Sequence, residues 1–401
     1  MKQYTADKHA QYTLQIATPM VTAVLIGLIW YFLAVLPHWL LWTLTAVLAA
    51  AAILLSFVGC ANKDTQGDSS EPAGEQTTEE RTTEPQTNED GSLVKPKNAV
   101  SVSDDVKIKT YSGTSLIEIG NRVMEPYGNA YKNMKAYADA LNRLKAEMPN
   151  TKAYCLMAPT AIEFYAPSKY NTGVSKSQYE GMCYIYEQLK DITPVNAYAE
   201  MAAHTEEYLY FRSDHHWTTL GAYYAYRTFA KVAGFTPVDK NTLQTGKLSP
   251  FLGLFYKDTK STALSNDPDY VEYFIPPVNT TAIASDTDAA MSNSYSIKVI
   301  NTETTSSNKY LAFVGGDHGV VKITTDAQSD KSIVVIKESY ANAFVPWLCA
   351  NYKTIYVLDP RQLTVKLADF VKTNSIDEVL FLNYMFIPSN PKFMNALENM
   401  A

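Results

Sequence analysis

The sequence predicts an α/β protein with a three-layer parallel sheet, preceded by an apolar N-terminal segment. The first observation is an alternation near the end of the chain, where apolar runs at 332–336, 354–358 and 378–382 are separated by helical stretches. Short buried strands with intervening helices are typical of a parallel sheet covered by helices on both faces. The second observation is an apolar region at 20–59, and the third is the polar stretch 61–98 that follows it.

Residues 1–60 are predicted to form a membrane or signal-like apolar anchor. Pro37-His38 divides the apolar region into two halves, and each half approaches the roughly 20 residues that a helix needs to cross a bilayer. Three interpretations stay open: two spans joined at Pro37-His38, one span with a leading interfacial segment, or an export signal with a forward extension.

The end of the anchor carries a second signal. Leu55-Ser56-Phe57-Val58-Gly59-Cys60 resembles a bacterial lipoprotein lipobox, in which the cysteine is lipidated and becomes the new N-terminus. Phe57 departs from the leucine that is usual there. The sequence therefore predicts lipidation of Cys60, with an unmodified cysteine as the alternative.

Residues 61–98 are predicted to be a disordered acidic tether. The stretch 61–94 holds nine acidic and two basic residues, and the difference of −7 equals the net charge of the whole chain. The remainder is therefore neutral and has no basic patch, which argues against a nucleic-acid partner. A segment rich in Thr, Glu, Pro and Ser cannot bury enough surface to fold. Its lack of positive charge after the apolar region predicts a location outside the cytoplasm.

Residues 99–401 are predicted to be the folded domain, and 46% of the whole chain is hydrophobic, which allows a large core. Helices are predicted over 128–147, 177–190 and from Thr218 to about Val232, with Thr218 or Thr219 as the cap. Strands are predicted at 152–158, at 207–211 and at 310–314, and 240–330 is rich in turns and strands. The cysteines of this domain form no C-x-x-C pair, which argues against a structural zinc site.

Three polar residues follow the predicted parallel strands: Ser339, Arg361 and Asn383. Functional residues lie preferentially at the carboxyl ends of the strands in such sheets. Ser339 lies where a buried strand turns into a helix, which exposes its hydroxyl and aims a helix N-terminus at a reacting carbonyl. Ser339 is therefore the candidate nucleophile, and a helix-capping serine is the alternative.

The run Asp214-His215-His216-Trp217 supplies the matching acid and base. A histidine accepts the proton of a serine nucleophile, and an aspartate fixes its tautomer and stabilises the imidazolium. Asp214 and His216 are two residues apart and would share a face in extended backbone, which favours His216 as the base. His215 is then left for a structural or substrate-binding role. A metal site is not predicted, because the spacings H-x-x-x-H and H-E-x-x-H are absent from the sequence.

Three segments carry a resemblance to a known family. Arg212–Ala222, Gly315–His318 and Lys337–Pro346 resemble the signature of the DHHW protein family, which is similar to the SGNH-hydrolase-like proteins of alginate O-acetylation. The resemblance spans roughly 105–395, and Glu338 stands where the family usually has Asp. It implies an SGNH-like fold of circularly permuted order, since Asp214 and His216 precede Ser339 in the chain. It also implies that Asn383 donates to the oxyanion beside the backbone N–H of Ser339, with Arg361 as a second polar candidate.

The resemblance implies carbohydrate O-acetyl chemistry. We expect a membrane-anchored, extracytoplasmic bacterial O-acetyltransferase or acetylesterase, acting on a cell-envelope or exported glycan through Ser339, His216 and Asp214. No cofactor is expected, the partners are a glycan acceptor and the membrane, and the sequence does not identify the acetyl donor. The alternative is a non-catalytic glycan-binding or polysaccharide-assembly lipoprotein of the same fold, and Glu338 is the feature that favours it.

Overall fold

An eight-stranded mixed sheet organises residues 94–401, the part of the chain that the computed structural model describes. The predicted anchor 1–60, with Cys60, and most of the predicted tether lie outside the described residues. None of the helices within 94–401 combines the length and apolarity that a membrane span requires.

The strands, in chain order, are β1 Ile108–Thr110, β2 Ile117–Ile119, β3 Arg122–Met124, β4 Lys152–Ala158, β5 Thr193–Pro194, β6 Thr245–Phe251, β7 Asp269–Phe274, β8 Thr280–Ser285, β9 Tyr295–Ile297, β10 Val320–Thr325, β11 Ser332–Lys337, β12 Thr354–Leu358 and β13 Glu378–Tyr384. The main sheet has the order β5-β4-β13-β11-β12-β10-β8-β9, while β1–β3 form a separate small sheet and β6 pairs with β7. The strands predicted at 152–158 and 354–358 have the predicted bounds.

The helices are α1 Tyr131–Ala146, α2 Ala161–Tyr165, α3 Ser168–Gly173, α4 Gln178–Glu187, α5 Tyr198–Ala202, α6 Thr219–Ala233, α7 Leu254–Thr259, α8 Thr262–Asn266, α9 Val345–Leu348, α10 Leu367–Thr373 and α11 Pro391–Glu398. Thr218 caps α6, because its hydroxyl accepts hydrogen bonds from the backbone N–H groups of Leu220 and Gly221. The left-handed Gly234 ends the helix.

The sheet is mixed, which corrects the prediction of a parallel sheet. Strands β5, β4, β13, β11 and β12 run parallel to one another, but β10 is antiparallel to both β12 and β8, and β9 is antiparallel to β8. The parallel strand β11 is buried on both faces, whereas β8 and β10 have partly exposed positions. Half-buried strands of this kind are typical of antiparallel pairing. They lack the continuous apolar run by which a fully buried strand is recognised in a sequence.

Two other predicted strands are absent from the described residues. Residues Lys309–Ala312 form a 3₁₀ helix, and Phe313 makes only an isolated bridge to Ile300. The run 207–211 also forms no strand, and its Tyr210 bridges to Trp217 across a tight turn. Both segments are rich in aromatic residues that are buried by tertiary packing, and their composition imitates that of a strand.

Helices cover the sheet on both faces. The Tyr154 ring of β4 packs edge-on against Phe229 of α6, with ring centroids 5.2 Å apart. The Tyr137 hydroxyl of α1 donates a hydrogen bond to Asn383 of β13 over 2.8 Å. Tyr154 lies beside Leu380 in the parallel register, and Leu380 and Asn383 point to opposite faces because they are three residues apart. Helices α6 and α1 therefore pack on opposite faces, which makes three layers.

The folded part begins before residue 98. Lys95 forms an ion pair with the buried Glu163 over 2.7 Å. The Asn98 side chain donates to the carbonyl oxygen of Phe164, and the backbone N–H of Ala99 donates to the carbonyl oxygen of Ala202. The last residues of the predicted tether are therefore held against the domain.

Candidate active site

A tight turn presents the histidine pair of the Asp214 run. The backbone N–H of His216 donates to Asp214 Oδ1 over 3.1 Å, and the bridge between Tyr210 and Trp217 closes the turn. The backbone is therefore not extended here, so Asp214 and His216 do not share one face of a strand in the way that their spacing predicts. His216 nevertheless reaches Ser339, because the turn folds its ring back over Asp214.

Asp214, His216 and Ser339 form a continuous hydrogen-bonded chain. His216 Nε2 lies 2.8 Å from Ser339 Oγ, and His216 Nδ1 lies 2.6 Å from Asp214 Oδ1. Asp214 and His216 are buried, while Ser339 is partly exposed. The hydroxyl of Ser339 is thus accessible from outside the protein, whereas the two groups hydrogen-bonded behind it are shielded from water.

The backbone of a distant loop holds the Asp214 carboxylate. The N–H of Leu254, at the start of α7, donates to Asp214 Oδ2 over 2.9 Å. A Cβ atom on Gly253 would lie 2.3 Å from Asp214 Oδ2, so only glycine lets the loop approach this closely. Burial alone would raise the pKa of Asp214, but the charges of His215 and His216 and these hydrogen bonds hold it far below its ordinary value. Asp214 is therefore an anion.

A second buried carboxylate fixes the start of the turn. Asp269 of β7 accepts hydrogen bonds from the backbone N–H groups of Arg212 and Ser213, over 3.0 and 2.8 Å, and from the Ser213 hydroxyl. Its other oxygen accepts from Arg212 Nε at 2.9 Å and from the Tyr208 hydroxyl. Asp269 therefore anchors the two residues that precede Asp214.

Ser339 opens a 3₁₀ helix, Ser339–Ala343, directly after β11. Glu338 caps it: one carboxylate oxygen accepts from the N–H of Tyr340 at 2.9 Å, and the other accepts from the N–H of Tyr384 at 3.0 Å. The first of these oxygens also lies 3.4 Å from Ser339 Oγ. Burial raises the pKa of Glu338 to about 7. Glu338 thus ties the serine turn to the end of β13.

Aromatic groups enclose the His216 ring. The Tyr310 ring stacks on His216 with centroids 4.0 Å apart, and its hydroxyl donates to the carbonyl oxygens of Ser339 and Tyr340. Trp217 Nε1 donates to the carbonyl oxygen of Tyr340 over 2.8 Å, and the Tyr340 hydroxyl donates to that of His215. These contacts join the His216 turn to the Ser339 turn, although 123 residues separate them in the chain.

His215 packs beside His216 and forms no hydrogen bond with Ser339 within the described residues. Its ring centroid lies 3.9 Å from that of His216, and its Nδ1 lies 3.4 Å from Asp214 Oδ1 without a hydrogen-bonding geometry. Burial lowers the pKa of His215 to about 4, so the ring is neutral near pH 7. Its side chain is 26% exposed, and it lines a small cavity beside the triad.

Arg361 belongs to an ion network at the same edge of the sheet. It contacts Asp359 through Nε at 2.9 Å and Asp317 through Nη2 at 2.8 Å, and the buried Lys337 contacts Asp317 at 2.7 Å. Burial opposes the charge on Arg361, but Asp359 and Asp317 raise its pKa above the ordinary value. Two cations and two anions therefore neutralise each other close to Ser339.

Asn383 is fully buried on the α1 side of β13. Its Oδ1 accepts the hydrogen bond from Tyr137, and its Nδ2 has no partner among the described residues. Contact between this side chain and a substrate oxygen would require it to leave this enclosure. His318 also lies apart from the triad, with its Nδ1 2.9 Å from the Tyr295 hydroxyl.

Asp214, His215 and His216 are grouped closely enough to suggest metal ligands. However, the 2.6 Å between His216 Nδ1 and Asp214 Oδ1 is a hydrogen-bond distance, which means that a proton lies between these atoms. His216 Nε2 faces Ser339. The arrangement fits a serine–histidine–aspartate triad, in which the Nε2 lone pair of His216 accepts the hydrogen bond of the Ser339 hydroxyl.

Sequence reasoning missed the residues that hold the triad: Gly253, Asp269 and Tyr310. Gly253 and Asp269 lie in the turn-rich stretch in which no motif is evident, and Tyr310 was assigned to a strand. The side-chain types alone gave no signal, since their roles depend on contacts that the fold creates.

Comparisons with known proteins agree with the motif. The model of a family described as "DHHW protein" matches residues 86–358. A crystal structure of a DHHW family protein from Eubacterium siraeum DSM 15702 aligns with a TM-score of 0.66 and 29% identity, covering 73% of this chain and 97% of that one. PatB1 of Bacillus cereus aligns with a TM-score of 0.57 and 19% identity, covering 72% and 99%, and has also been solved with a sulfonyl adduct. The O-acetyltransferase domain of Pseudomonas putida AlgJ aligns with a TM-score of only 0.39 and 12% identity, covering 74% of this chain and 100% of that one. No curated protein matches the chain.

Proposed function

The chain belongs to the DHHW protein family, as its motifs predicted, and from this premise we propose that it is an SGNH-like O-acetyltransferase or acetylesterase. Ser339 is the nucleophile, His216 the general base and Asp214 the group that orients it. The observation that carries the proposal is the chain of two short contacts, 2.8 Å from Ser339 to His216 and 2.6 Å from His216 to Asp214. Nucleophile, base and orienting carboxylate within hydrogen-bonding distance are the geometry of acyl transfer.

The first half-reaction acylates the serine. Ser339 Oγ attacks the carbonyl carbon of an acetyl ester while His216 Nε2 takes the hydroxyl proton. The tetrahedral intermediate then collapses: the bond to the leaving alcohol breaks, and His216 gives that alcohol its proton. General acid–base help of this kind contributes roughly 10²- to 10⁴-fold in rate.

The second half-reaction releases the acetyl group. A glycan hydroxyl (transferase) or water (esterase) gives its proton to His216 Nε2 and forms a bond to the acyl carbon. The bond from Ser339 Oγ to that carbon then breaks, and the proton returns to the serine. The anionic Asp214 stabilises the imidazolium in both halves.

The oxyanion donors stay part of the proposal. The backbone N–H of Ser339 is the proposed donor, and the half-buried Arg361 is a proposed substrate contact at the same sheet edge. Because Asn383 is fully buried and accepts a hydrogen bond from Tyr137, we propose that it stabilises the end of β13 and does not contact the substrate. Glu338 is the feature that favours the alternative of a non-catalytic protein. However, Glu338 accepts hydrogen bonds from two backbone N–H groups, and these bonds support a well-ordered turn at Ser339.

The test uses the purified full chain and p-nitrophenyl acetate. We expect release of p-nitrophenolate by the wild type and loss of that activity in Ser339→Ala and His216→Ala. A fluorophosphonate probe should label the wild type and leave Ser339→Ala unlabelled. Because PatB1 shares the fold and accepts a sulfonyl adduct, a sulfonyl fluoride should modify Ser339 as well. Equal labelling of the wild type and Ser339→Ala would refute the nucleophile, and loss of turnover in His215→Ala but not in His216→Ala would refute the base.

The proposed location is the outer face of a bacterial membrane, with residues 1–60 as the proposed anchor and the stretch that follows as the proposed tether. Lipidation of Cys60 is tested with radiolabelled palmitate in cells that express the protein. Label on the wild type and its absence from Cys60→Ala are expected. Persistent label on Cys60→Ala would refute lipidation at that residue.

A further inference from the structure

The His216 ring lies between two other rings. Its centroid is 4.0 Å from that of Tyr310, with 18° between the planes, and 3.9 Å from that of His215, with 36° between the planes. Rings placed side by side at these separations would overlap, so each ring lies over a face of His216. The two cannot share one face for the same reason. Tyr310 and His215 therefore cover opposite faces of His216.

Both covering rings are neutral near pH 7. Burial lowers the pKa of His215 to about 4, and it raises the pKa of Tyr310 well above the ordinary value. Neither ring therefore places a charge against His216. The face of a tyrosine ring attracts a cation, and the attraction is stronger where water is excluded. The arrangement thus favours the imidazolium form that His216 takes during the proposed reaction.

Tyr310 is itself fixed by the turn that carries the proposed nucleophile. Its hydroxyl donates to the carbonyl oxygens of Ser339 and Tyr340, at 3.0 and 3.2 Å. Phe211 and Phe313 pack edge-on against the same ring, with centroids 6.1 and 5.3 Å away, and the side chain of Tyr310 is buried. One side chain therefore contacts the proposed base through its ring and the backbone of the nucleophile through its hydroxyl.

We propose that Tyr310 is a positioning residue for acyl transfer, which holds His216 Nε2 against Ser339 Oγ and stabilises the imidazolium. The Tyr310 hydroxyl fixes its ring to the Ser339 turn, and the ring in turn fixes the plane of His216. His215 covers the opposite face, so the His216 ring cannot tilt out of the line from Asp214 to Ser339. This inference rests on the proposed function, since it assigns a support to the base of that reaction.

Four other ionisable side chains face His216. Asp214 of the same turn lies 2.6 Å from Nδ1, His215 covers one face, the Tyr340 ring lies 5.3 Å away, and Glu338 at the end of β11 acts on the charge. Near pH 7, Asp214 is an anion, and His215 and Tyr340 are neutral. Among these four groups only Glu338, whose pKa burial raises to about 7, changes charge in this range. A pH experiment must therefore separate Glu338 from His216.

The test follows the rate of fluorophosphonate labelling of the full chain as a function of pH. The rate falls on the acidic side, where the base is protonated. Tyr310→Leu removes the ring face, so the imidazolium should lose its proton more readily and the acidic limb should move about one pH unit toward lower pH. The maximal rate should fall about tenfold, because the same cation forms in the transition state.

Two variants at the same position separate the ring from the hydroxyl. Tyr310→Phe keeps the ring, so the acidic limb should stay in place while the urea midpoint falls with the lost hydrogen bonds. A fluorinated phenylalanine at position 310 has nearly the shape of Tyr310→Phe but a weaker negative face. It should move the limb toward lower pH, and this result does not depend on the folding of Tyr310→Leu.

Phe313→Leu is the matched control. It removes a buried ring that packs on Tyr310, and within residues 94–401 Phe313 makes no ring contact with His216. Phe313→Leu should lower the urea midpoint and leave the acidic limb in place. The labelling rates are also measured with Glu338→Gln present in each protein, and the shift caused by Tyr310→Leu should persist there.

The outcomes are distinct. Identical acidic limbs in the fluorinated variant and Tyr310→Phe would overturn the role of the ring face, and so would a shift that disappears when Glu338→Gln is present. In both cases the wild type still takes up the probe and the triad stands. If the wild type takes up no fluorophosphonate and releases no p-nitrophenolate, the proposed function itself fails.

Discussion

Replacing Asp214 with Asn gives the sharpest test of the triad. The carboxylate accepts three hydrogen bonds, from the ring Nδ1–H of His216 at 2.6 Å, from its backbone N–H at 3.1 Å and from the N–H of Leu254 at 2.9 Å. An amide has one oxygen and one NH₂ group, so neither orientation can accept from both sides. With the oxygen toward His216, the NH₂ group opposes the N–H of Leu254. With the oxygen toward Leu254, the NH₂ group opposes His216 and favours the tautomer that carries its proton on Nε2.

The magnitude follows from that tautomer. A His216 protonated on Nε2 cannot take the proton of Ser339, and an Asp→Asn change in such a triad costs about 10³- to 10⁴-fold in kcat, or about 4 to 5.5 kcal/mol in the barrier. One buried donor left without an acceptor should also lower the free energy of unfolding by about 1 to 3 kcal/mol.

The assay compares kcat for p-nitrophenyl acetate, the rate of fluorophosphonate labelling and urea denaturation of Asp214→Asn with those of the wild type. Asp105→Asn makes the same chemical change at an exposed position and serves as the control. Activity of Asp214→Asn within about tenfold of the wild type would refute the reasoning, because the expected loss is about a thousandfold or more.

Three further changes test the groups that support the triad. Gly253→Ala places a Cβ atom 2.3 Å from Asp214 Oδ2 and should lower kcat about a hundredfold by displacing the carboxylate. Gly128→Ala, where space is open, should leave kcat unchanged, and equal kcat values for the two variants would contradict the argument. Glu338 has a pKa raised from 4.5 to about 7, so the folded state binds a proton that the unfolded state has lost in this window, and the free energy of unfolding should fall as the pH rises through it. Glu338→Gln should flatten that slope in urea titrations at several pH values, and an unchanged slope would rule Glu338 out as its source. Asp269→Asn should lower the free energy of unfolding by about 3 to 5 kcal/mol, because it breaks a buried ion pair, and an unchanged urea midpoint would count against that role.

Much of the fold can be predicted from the sequence, because the local pattern of apolar and polar residues determines local structure. The buried run Lys152–Ala158 is a strand in the structure with the predicted bounds, and Thr218 caps its helix as predicted. The antiparallel strands of the sheet could not be predicted in this way. Whether β10 pairs with β12 or with β11 depends on which edge remains free once the parallel strands have assembled, and the residues of β10 do not specify this.

Part of the candidate site could likewise be predicted from the sequence, and part could not. The chain itself places Asp214 next to the histidine pair and Ser339 at the end of a buried strand, and the position at which a strand ends is a local property. The preference for His216 over His215 agreed with the geometry, although extended backbone was the wrong reason for it. A side-chain hydrogen bond within the turn, from the N–H of His216 to Asp214, decides where the ring points.

The sequence by itself therefore determined the chemical parts: an aspartate, a base and a serine, each at a defined position on a strand or turn of an α/β domain. Only the tertiary structure decided how they are held. It brought Leu254 and Asp269 to the Asp214 turn and stacked Tyr310 on His216. These contacts join residues far apart in the chain, and they arise from packing of the sheet and its helices, which no local pattern of residue types encodes.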